Sequence, residues 1–429
     1  MLGRIGTTGL LVIALTACGG GGGSAEVGPT GGKAAPPAQT TSAAPSTTAP
    51  QQSPVQRVLA RMSVEEKVGQ LFMPVLYGTA ADTVSGENQA RYAARTPAKV
   101  IAKYHLGGVI LFPQNVKSVG QVVGLTNGMQ RAAEEVPLLI GTDQENGLVS
   151  RMSALMTDFP GAAEIGATKD TDLSRDVARA TGEELRALGV NLDFAPVADV
   201  NVNPRNPVIG RRAFGNDPQK VARRWRVAAA VKGFGEAKIA ATAKHFPGHG
   251  DTSVDSHTGL PVIKHTRAEW ERIDAPPFKA AIDAGVDAVM SAHIVFPKLD
   301  SSGDPATLSK PILTGLLREK LGFKGVISTD ALNMAGVRKK YNDGEIAVRA
   351  VLAGADLLLM PNDLPKAYDA VLAAVKSGRI SKERLDQSVT RLLTLKQKRG
   401  LLTEAPVASA ERAAGVLRSP EHRELAARA

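Results

Sequence analysis

Short apolar runs recur along the chain, and they limit its possible folds more than any other feature. Each has four to seven residues, mostly aliphatic, and amphipathic stretches such as 119–133, 172–188, 218–234 and 268–284 lie between them. The eight runs are 72–77, 108–112, 138–142, 190–196, 239–243, 288–292, 326–329 and 356–360. Strands buried on both faces have this composition, and their alternation with helices predicts a parallel α/β sheet. Eight such units fit a (β/α)8 TIM barrel with a single catalytic domain. The alternative, a doubly wound sheet, needs an early G-x-G-x-x-G that the sequence lacks.

Polar side chains stand where several of these runs end. They are Asp143, Asp193, Asp199, Lys244, His245, His293 and Asp330. In a (β/α)8 barrel the active site lies at the carboxyl ends of the strands. The sequence therefore predicts a site built from these positions.

The fifth run leads into the polar segment Lys244-His-Phe-Pro-Gly-His-Gly-Asp-Thr-Ser-Val-Asp-Ser-His257, which holds three of the seven histidines. Its proline and glycines exclude a regular helix, so we predict a loop at a strand end, where catalytic groups concentrate. Asp255 can orient the ring of His257 and stabilise its protonated form, so the pair can exchange a proton near neutral pH. An ordinary surface hydrogen bond is the alternative.

Other candidates each have a structural alternative. Asp330 can act as a nucleophile, or as the N-cap of the next helix. Asp143, with Arg151 eight residues later, can hold substrate hydroxyls, or can be a turn residue. Arg211 or Arg212 can grip a polar substituent, or can form a structural salt bridge.

Metal binding is a further alternative for the histidine-rich segment. His245, His249, Asp251 and Asp255 carry suitable ligand atoms. Pro-Gly between the two histidines removes the helical ligand geometry, and the sequence has no H-E-x-x-H or cysteine cluster. We therefore predict no metal.

The N-terminal region predicts export and anchoring. Residues 10–17 are too short an apolar run to span a bilayer, and they end at Cys18, the only cysteine. The pattern resembles a bacterial lipobox, so we predict a lipoprotein signal over 1–18 and lipidation of Cys18; a plain signal peptide is the alternative. Residues 19–54 read as a flexible tether, 55–404 as the folded domain and 405–429 as a C-terminal helix or tail. We expect an extracytoplasmic protein, lipid-anchored to the bacterial cell membrane.

The charge of the chain is strongly basic, at +10, but aromatic residues make up only 4%. Basic residues alternate with acidic ones, and no basic run carries interleaved aromatics, so we predict no nucleic-acid partner. The surface is either simply solvated or attracts anionic wall polymers or lipid headgroups.

Four segments together resemble the glycoside hydrolase family 3 β-N-acetylglucosaminidases. They are the segment 244–257, Asp143-Gln-Glu-Asn-Gly, Val208-Ile-Gly-Arg-Arg-Ala-Phe-Gly and 328–334, in the family's order. The resemblance covers about residues 55–400. Two positions depart from the family pattern, with Asn146 in place of a glycine and Ala331 where an acid is common.

The resemblance implies a role for each matching residue. Asp330 is expected to be the nucleophile and His257 the acid/base, with Asp255 as the partner of His257. The residues expected to bind the sugar are Asp143, Arg151, Arg212, Lys244 and His245. No cofactor and no metal are implied.

The activity implied is that of a glycosidase that hydrolyses O-glycosyl compounds. The enzyme implied is a retaining exo-β-N-acetylglucosaminidase, or β-N-acetylhexosaminidase, which acts by double displacement. The expected substrates are peptidoglycan fragments with terminal β-linked N-acetylglucosamine (GlcNAc). A monomer is expected. The alternatives are a phosphorylase that uses phosphate in place of water, a catalytically dead sugar-binding lipoprotein, and a metal-dependent hydrolase.

Overall fold

The computed structural model describes residues 28, 31–32, 52–222, 226–256, 258–403 and 407–428. Cys18 and His257 lie outside these residues, as do the predicted signal and nearly all of the predicted tether. Within the described part, no helix is both long and apolar enough to cross a membrane.

Each of the eight apolar runs overlaps a strand. The strands in the described part are β1 (Phe72–Met73), β2 (Gly108–Ile110), β3 (Leu139–Thr142), β4 (Gln144–Asn146), β5 (Val149–Ser150), β6 (Leu192–Asp193), β7 (Ala240–Phe246), β8 (Ala288–Ser291), β9 (Val326–Ser328) and β10 (Leu358–Leu359). Apart from β4 and β5, every residue in these strands is buried, which explains why the runs are almost continuously apolar. β4 and β5 form a small antiparallel hairpin that the run pattern did not predict.

The strands pair in parallel. Six of them form one sheet in the order β2-β3-β6-β7-β8-β9, and β1 pairs separately with β10. Single parallel bridges also join Val75 to Ile110 and Ser328 to Leu357. The architecture is thus α/β with a parallel-sheet half-barrel, and the complete (β/α)8 barrel stays a prediction.

Helices connect the strands and cover the sheet. Those in the described part are α1 (Pro54–Arg61), α2 (Val64–Gly69), α3 (Gly86–Tyr92), α4 (Pro97–Tyr104), α5 (Val119–Ala132), α6 (Ala162–Ala167), α7 (Leu173–Ala187), α8 (Pro218–Ala222), α9 (Val227–Glu236), α10 (Arg267–Ile273), α11 (Ala275–Asp283), α12 (Ala335–Arg338), α13 (Asp343–Ala353), α14 (Leu364–Lys376), α15 (Lys382–Lys398), α16 (Ala410–Val416) and α17 (Pro420–Ala426). Short 3-10 helices cover Pro113–Asn115, Gly210–Arg212 and Ala306–Leu308, and a π-helix covers Pro311–Lys320.

Two amphipathic stretches each overlap two helices. The stretch 218–234 overlaps α8 and α9, and residues 223–225 between them lie outside the described residues. The stretch 268–284 breaks at Asp274 into α10 and α11. This break has a clear cause, because Pro276 and Pro277 follow Asp274, and proline is accepted in the first turn of a helix but not in its interior. The break places the Asp274 carboxylate at a helix junction.

The C-terminal region is helical and packs on the domain. Both α16 and α17 contact α7. His422 in α17 is buried, with its Nδ1 2.8 Å from Oε1 of Glu184 and its Nε2 3.3 Å from Oε2 of Glu183. The histidine therefore joins the C-terminal region to α7 through two carboxylates.

Candidate active site

A buried ammonium group joins two acidic side chains at the carboxyl end of the sheet. Nζ of Lys244, in β7, lies 2.8 Å from Oδ1 of Asp143 and 2.6 Å from Oε1 of Glu145. Burial alone lowers the pKa of Lys244, but the two carboxylates outweigh it, so the pKa is raised. The side chain therefore carries its charge at neutral pH.

Glu145 is gripped from its other side by Arg212. The guanidinium donates from Nε to Oε2 at 2.8 Å and from Nη2 to Oε1 at 2.7 Å. This two-bond fork is the geometry in which arginine holds a carboxylate most firmly. Burial favours a high pKa for Glu145, but Lys244 and Arg212 lower it to about 2. Glu145 is thus a fixed negative charge between two cations.

Arg211 points away from this network. Its side chain is 69% exposed and pairs with Glu164, whereas the side chain of Arg212 is only 13% exposed. The structure therefore brings Arg212, and not Arg211, together with the other predicted sugar-binding residues.

His245 extends the network to a second buried carboxylate. Its Nδ1 lies 2.7 Å from Oδ2 of Asp199, and its Nε2 lies 3.4 Å from Nη2 of Arg212. Oδ1 of Asp199 also accepts from the backbone N–H groups of His245, at 3.2 Å, and of His249, at 2.7 Å. Asp199 therefore fixes both the ring of His245 and the start of the loop that follows β7.

Arg151 is tied to the same region through its backbone and its guanidinium. The backbone N–H donates to the carbonyl of Asp143 at 3.2 Å. The guanidinium lies 5.4 Å from the centre of the Phe112 ring. Its Nε is buried and has no hydrogen-bond partner among the described residues. The Nε–H group of Arg151 is therefore an unsatisfied buried donor beside Asp143.

Asp330 follows β9 and is half-buried. Its Oδ1 accepts from the N–H of Ala331 at 2.7 Å. The next helix, α12, starts later and has Met334 at its N-cap, so Asp330 does not cap it.

His249 lies within electrostatic reach of Asp330. Burial and then His245 lower the pKa of His249 to about 4, while Asp199 and Asp330 oppose this shift. His249 is therefore a neutral side chain near the predicted nucleophile.

The loop after β7 turns at Asp255. The carbonyl of Asp255 accepts from the N–H groups of Gly259, at 2.8 Å, and Thr258, at 3.2 Å. Nε2 of His249 lies 3.0 Å from Oγ of Ser256. The predicted pairing of Asp255 with His257 stays a prediction, because His257 lies outside the described residues.

Asn146 accounts for one departure from the family pattern. Asn146 and Gly147 both have positive φ angles, of 67° and 57°. Asparagine tolerates this left-handed conformation better than other non-glycine residues. Nδ2 of Asn146 also donates to Oγ1 of Thr181 at 3.0 Å. Asparagine can therefore stand here without distorting the hairpin.

Sequence reasoning assigned no role to Glu145, Asp199 or Asp193. Glu145 had a usable signal, since residues two apart along a strand face the same side and Asp143 was already a candidate. Asp199 and Asp193 were recognised only as polar residues at a strand end. Asp193 is buried, which raises its pKa, and its Oδ2 has no hydrogen-bond partner in the part of the chain that is described.

In the described ranges, no group of three or more His, Cys, Asp or Glu side chains is arranged to hold a metal ion.

These observations define an α/β domain with a charged, partly open polar site at the carboxyl ends of parallel strands. The profile of the glycosyl hydrolase family 3 N terminal domain matches residues 63–395, and the chain belongs to this family.

Characterised relatives point in the same direction. The chain is 40% identical over 375 residues to β-hexosaminidase A of Pseudoalteromonas piscicida, covering 80% of this chain and 61% of that protein. It is 34% identical over 388 residues to a β-N-acetylglucosaminidase/β-glucosidase of Cellulomonas fimi, covering 87% of this chain and 65% of that protein. The chain thus spans less than two thirds of the length of these two relatives.

A solved structure agrees in fold and sequence. The family 3 β-N-acetylglucosaminidase of Paenibacillus sp. str. FPU-7 superimposes with a TM-score of 0.78 at 45% identity, covering 86% of this chain and 68% of that chain. These relatives support the prediction of a glycosidase.

Proposed function

We propose that this chain is a glycosidase, and specifically a retaining exo-β-N-acetylglucosaminidase. The main observation in support of this proposal is a connected network of side chains at the strand ends, formed by Asp143, Lys244, Glu145, Arg212 and His245. It gathers most of the residues expected to bind the sugar, and the named activities of the relatives support the same choice.

The proposed reaction has two displacements. The Asp330 carboxylate attacks the anomeric carbon of a terminal β-linked GlcNAc, the bond to the leaving oxygen breaks, and His257 gives that oxygen its proton. His257 then takes a proton from water, whose oxygen attacks the anomeric carbon and releases the Asp330 carboxylate. Two inversions give net retention. Asp255 orients His257 and stabilises its protonated form.

The charged network suits a sugar rather than an ion. Lys244 and Arg212 are largely neutralised by Glu145 and Asp143, so the site presents fixed donors and acceptors with little net charge. Such groups match the hydroxyls of a sugar ring. The unpartnered Nε–H of Arg151 adds one more donor.

The wider architecture and setting belong to the same proposal. The bridges from Val75 to Ile110 and from Ser328 to Leu357 support a closed eight-stranded (β/α)8 barrel. The lipobox resemblance at Cys18 supports a lipid-anchored, extracytoplasmic enzyme with a tether before the domain. That setting favours peptidoglycan fragments, with GlcNAc at their ends, as the substrate.

The test uses the full-length chain and an aryl β-N-acetylglucosaminide, with and without phosphate. Release of free GlcNAc is expected, and Asp330→Asn is expected to lower it by on the order of 10⁴-fold or more, because the nucleophile is lost. His257→Ala is expected to lower kcat/KM severely for poor leaving groups and little for activated ones, which need little protonation in the first displacement.

Other outcomes point elsewhere. Formation of the sugar 1-phosphate would show a phosphorylase, since a histidine acid/base does not repel an anionic acceptor as a carboxylate does. No product with either acceptor would favour a sugar-binding protein. Loss of activity with a chelator would favour a metal-dependent hydrolase.

A further inference from the structure

Another histidine, His265, lies between two carboxylates beside the loop that follows β7. Nδ1 of His265 is 2.6 Å from Oδ2 of Asp274, and Nε2 is 3.0 Å from Oδ2 of Asp251. His265 and Asp274 are buried, whereas the side chain of Asp251 is 40% exposed. The ring thus connects a buried carboxylate at the junction of α10 and α11 with a carboxylate on the loop.

The carboxylate of Asp274 also lies against the backbone of Gly248, at the start of this loop. Gly248 has a φ of 136°, and a Cβ atom there would lie 2.5 Å from Oδ1 of Asp274. A Cβ atom at Gly250 would lie 1.7 Å from the carbonyl oxygen of Val200. Both glycines therefore allow a backbone approach that any side chain would block.

Residues 248–251, which we call the loop base, are therefore held from two sides. Asp199 accepts from the N–H of His249 on one side. On the other side, Asp274 lies against Gly248, and His265 holds Asp251. Further along the loop, Ser253 and Val254 are exposed to solvent.

We infer that His265 is a positioning residue: held by Asp274, it fixes Asp251 and so sets where the loop base places Asp255 and His257. This inference rests on the proposed function, in which His257 is the acid/base. Nothing in the reaction requires His265 to touch the sugar. Its effect reaches the chemistry only through the position of the loop.

The test compares the full-length His265→Ala variant with a matched control. His422 also lies between two carboxylates and is equally buried, but it joins α17 to α7, away from this loop. His422→Ala therefore removes a comparable interaction without touching the loop base. Each variant is assayed on an alkyl β-N-acetylglucosaminide, with a poor leaving group, and on an activated aryl β-N-acetylglucosaminide.

For His265→Ala, kcat on the alkyl substrate is expected to fall about 10- to 100-fold, because a displaced acid cannot protonate a poor leaving group well. On the aryl substrate kcat/KM, which reports the first displacement alone, is expected to change by less than about threefold. His422→Ala is expected to show no dependence on the leaving group. Equal losses on both substrates in His265→Ala, or no loss, would overturn the inference.

A second pair of variants covers a failure of His265→Ala to fold. Asp251 is partly exposed, so Asp251→Ala removes only the loop contact, whereas Asp251→Asn keeps an oxygen that can accept from His265. The asparagine is expected to restore at least part of the kcat that the alanine loses on the alkyl substrate. Equal kcat values for the two variants would contradict the inference.

Hydrogen exchange separates this inference from the proposed function. In Asp251→Ala, the backbone amides of 249–258 are expected to exchange faster than in the unaltered chain, and in His422→Ala they are not. Faster exchange together with an unaltered chain that cleaves neither substrate would mean that the proposed function is wrong while the contact holds the loop. Unchanged exchange in Asp251→Ala would refute the contact itself.

Discussion

The two ends of the parallel sheet each carry a buried charge network, and the networks are built differently. At the carboxyl end, Lys244 and Arg212 share Glu145, and Asp143 is still partly open to solvent. At the amino end, Asp356 precedes β10, is fully buried and is surrounded by arginines. These are Arg318 from the π-helix and Arg384 and Arg391 from α15.

The amino-end carboxylate has both oxygens occupied. Oδ2 of Asp356 accepts from Arg318 and from the N–H of Ile327, at 3.0 Å. Oδ1 accepts from Oγ of Ser388 at 2.7 Å and from Nη1 of Arg391 at 3.1 Å. Its partners come from β9 and from two helices, so the carboxylate fastens the sheet to its outer layer.

The carboxyl end, in contrast, leaves several polar atoms without partners. Within the described residues these include Nε of Arg151, Oδ2 of Asp193 and Nδ1 of His249. Buried polar atoms are normally satisfied. Nε of Arg399, which pairs with Asp287 at the amino end, also lacks a partner within the described residues. The contrast between the ends therefore depends on the fully occupied carboxylate of Asp356 and the partly open carboxylate of Asp143. The comparison favours a structural role for the network at the amino end and a ligand-binding role for the network at the carboxyl end, in keeping with the proposed barrel.

The largest expected effect is on the free energy of unfolding, and it would distinguish the network at the amino end from the network at the carboxyl end. Asp356→Ala leaves three half-buried arginines without their buried counter-charge and is expected to lower the free energy of unfolding by about 3 kcal/mol or more. The protein that remains folded should keep its kcat/KM. Urea unfolding and active-site titration measure the two quantities.

Asp386 on α15 provides the control for this experiment. Its side chain is 40% exposed and pairs with Lys67. Because exposed ion pairs contribute little, Asp386→Ala is expected to lower stability by less than about 1 kcal/mol. A similar loss in both variants would contradict a special role for Asp356.

The next largest effect is on the pH dependence of stability, and it comes from His249, which stays neutral in the folded chain. Its pKa falls from 6.5 to about 4 through burial, so between these values the unfolded chain binds a proton that the folded chain does not. The stability associated with His249 is therefore present above about pH 6.5 and is lost as the pH falls toward 4, by on the order of 3 kcal/mol. Unfolding at pH 7 and pH 4.5 should show a smaller acid loss in His249→Gln than in the unaltered chain.

His422 should behave in the opposite way. Hydrogen bonding to Glu184 raises its pKa, despite some burial. Its stability contribution is therefore present below the unfolded pKa and is lost as the pH rises through the folded pKa. If His249→Gln and His422→Gln changed the pH dependence of stability with the same sign, the assignment of a neutral His249 would be wrong.

The smallest expected effect is on kcat/KM, and it comes from a comparison of variants at the neighbouring residues Arg211 and Arg212. Lysine cannot reproduce the fork of Arg212 on Glu145, and a lost charged hydrogen bond of about 1.5–3 kcal/mol corresponds to roughly a 10- to 100-fold fall in kcat/KM. Arg211→Lys, on the exposed side chain, is expected to stay within about twofold of the unaltered chain. Equal losses in the two variants would remove Arg212 from the site.

Much of the fold could be predicted from the sequence. Buried parallel strands need nearly continuous apolar composition, and each of the eight runs therefore overlaps a strand. The hairpin of β4 and β5 could not be predicted from apolar runs because most of its strand residues are polar. The break at Asp274 could not be predicted because amphipathic periodicity continues across it. Periodicity reports which face of an element is buried, and it is insensitive to a change of helix axis.

The site was predicted less evenly. Asp143, Lys244 and His245 lie at strand ends, and topology brings such positions together. The contact of His265 with Asp251 and Asp274 depends on the path of an irregular loop. No periodicity or strand-end rule encodes that path. The resemblance to known glucosaminidases supplied roles for single residues, but it did not supply the carboxylates that hold them.

The pairing of β1 with β10 has a consequence for biosynthesis. Phe72 in β1, the first strand, is paired in register with Leu358 in β10, the last strand. The ribosome therefore delivers nearly the whole domain before β1 can meet this partner, and until then β1 exposes unpaired N–H and C=O groups. A nascent chain that stalls before residue 359 lacks this partner strand. Such truncated chains are the species that we expect to depend most on chaperones.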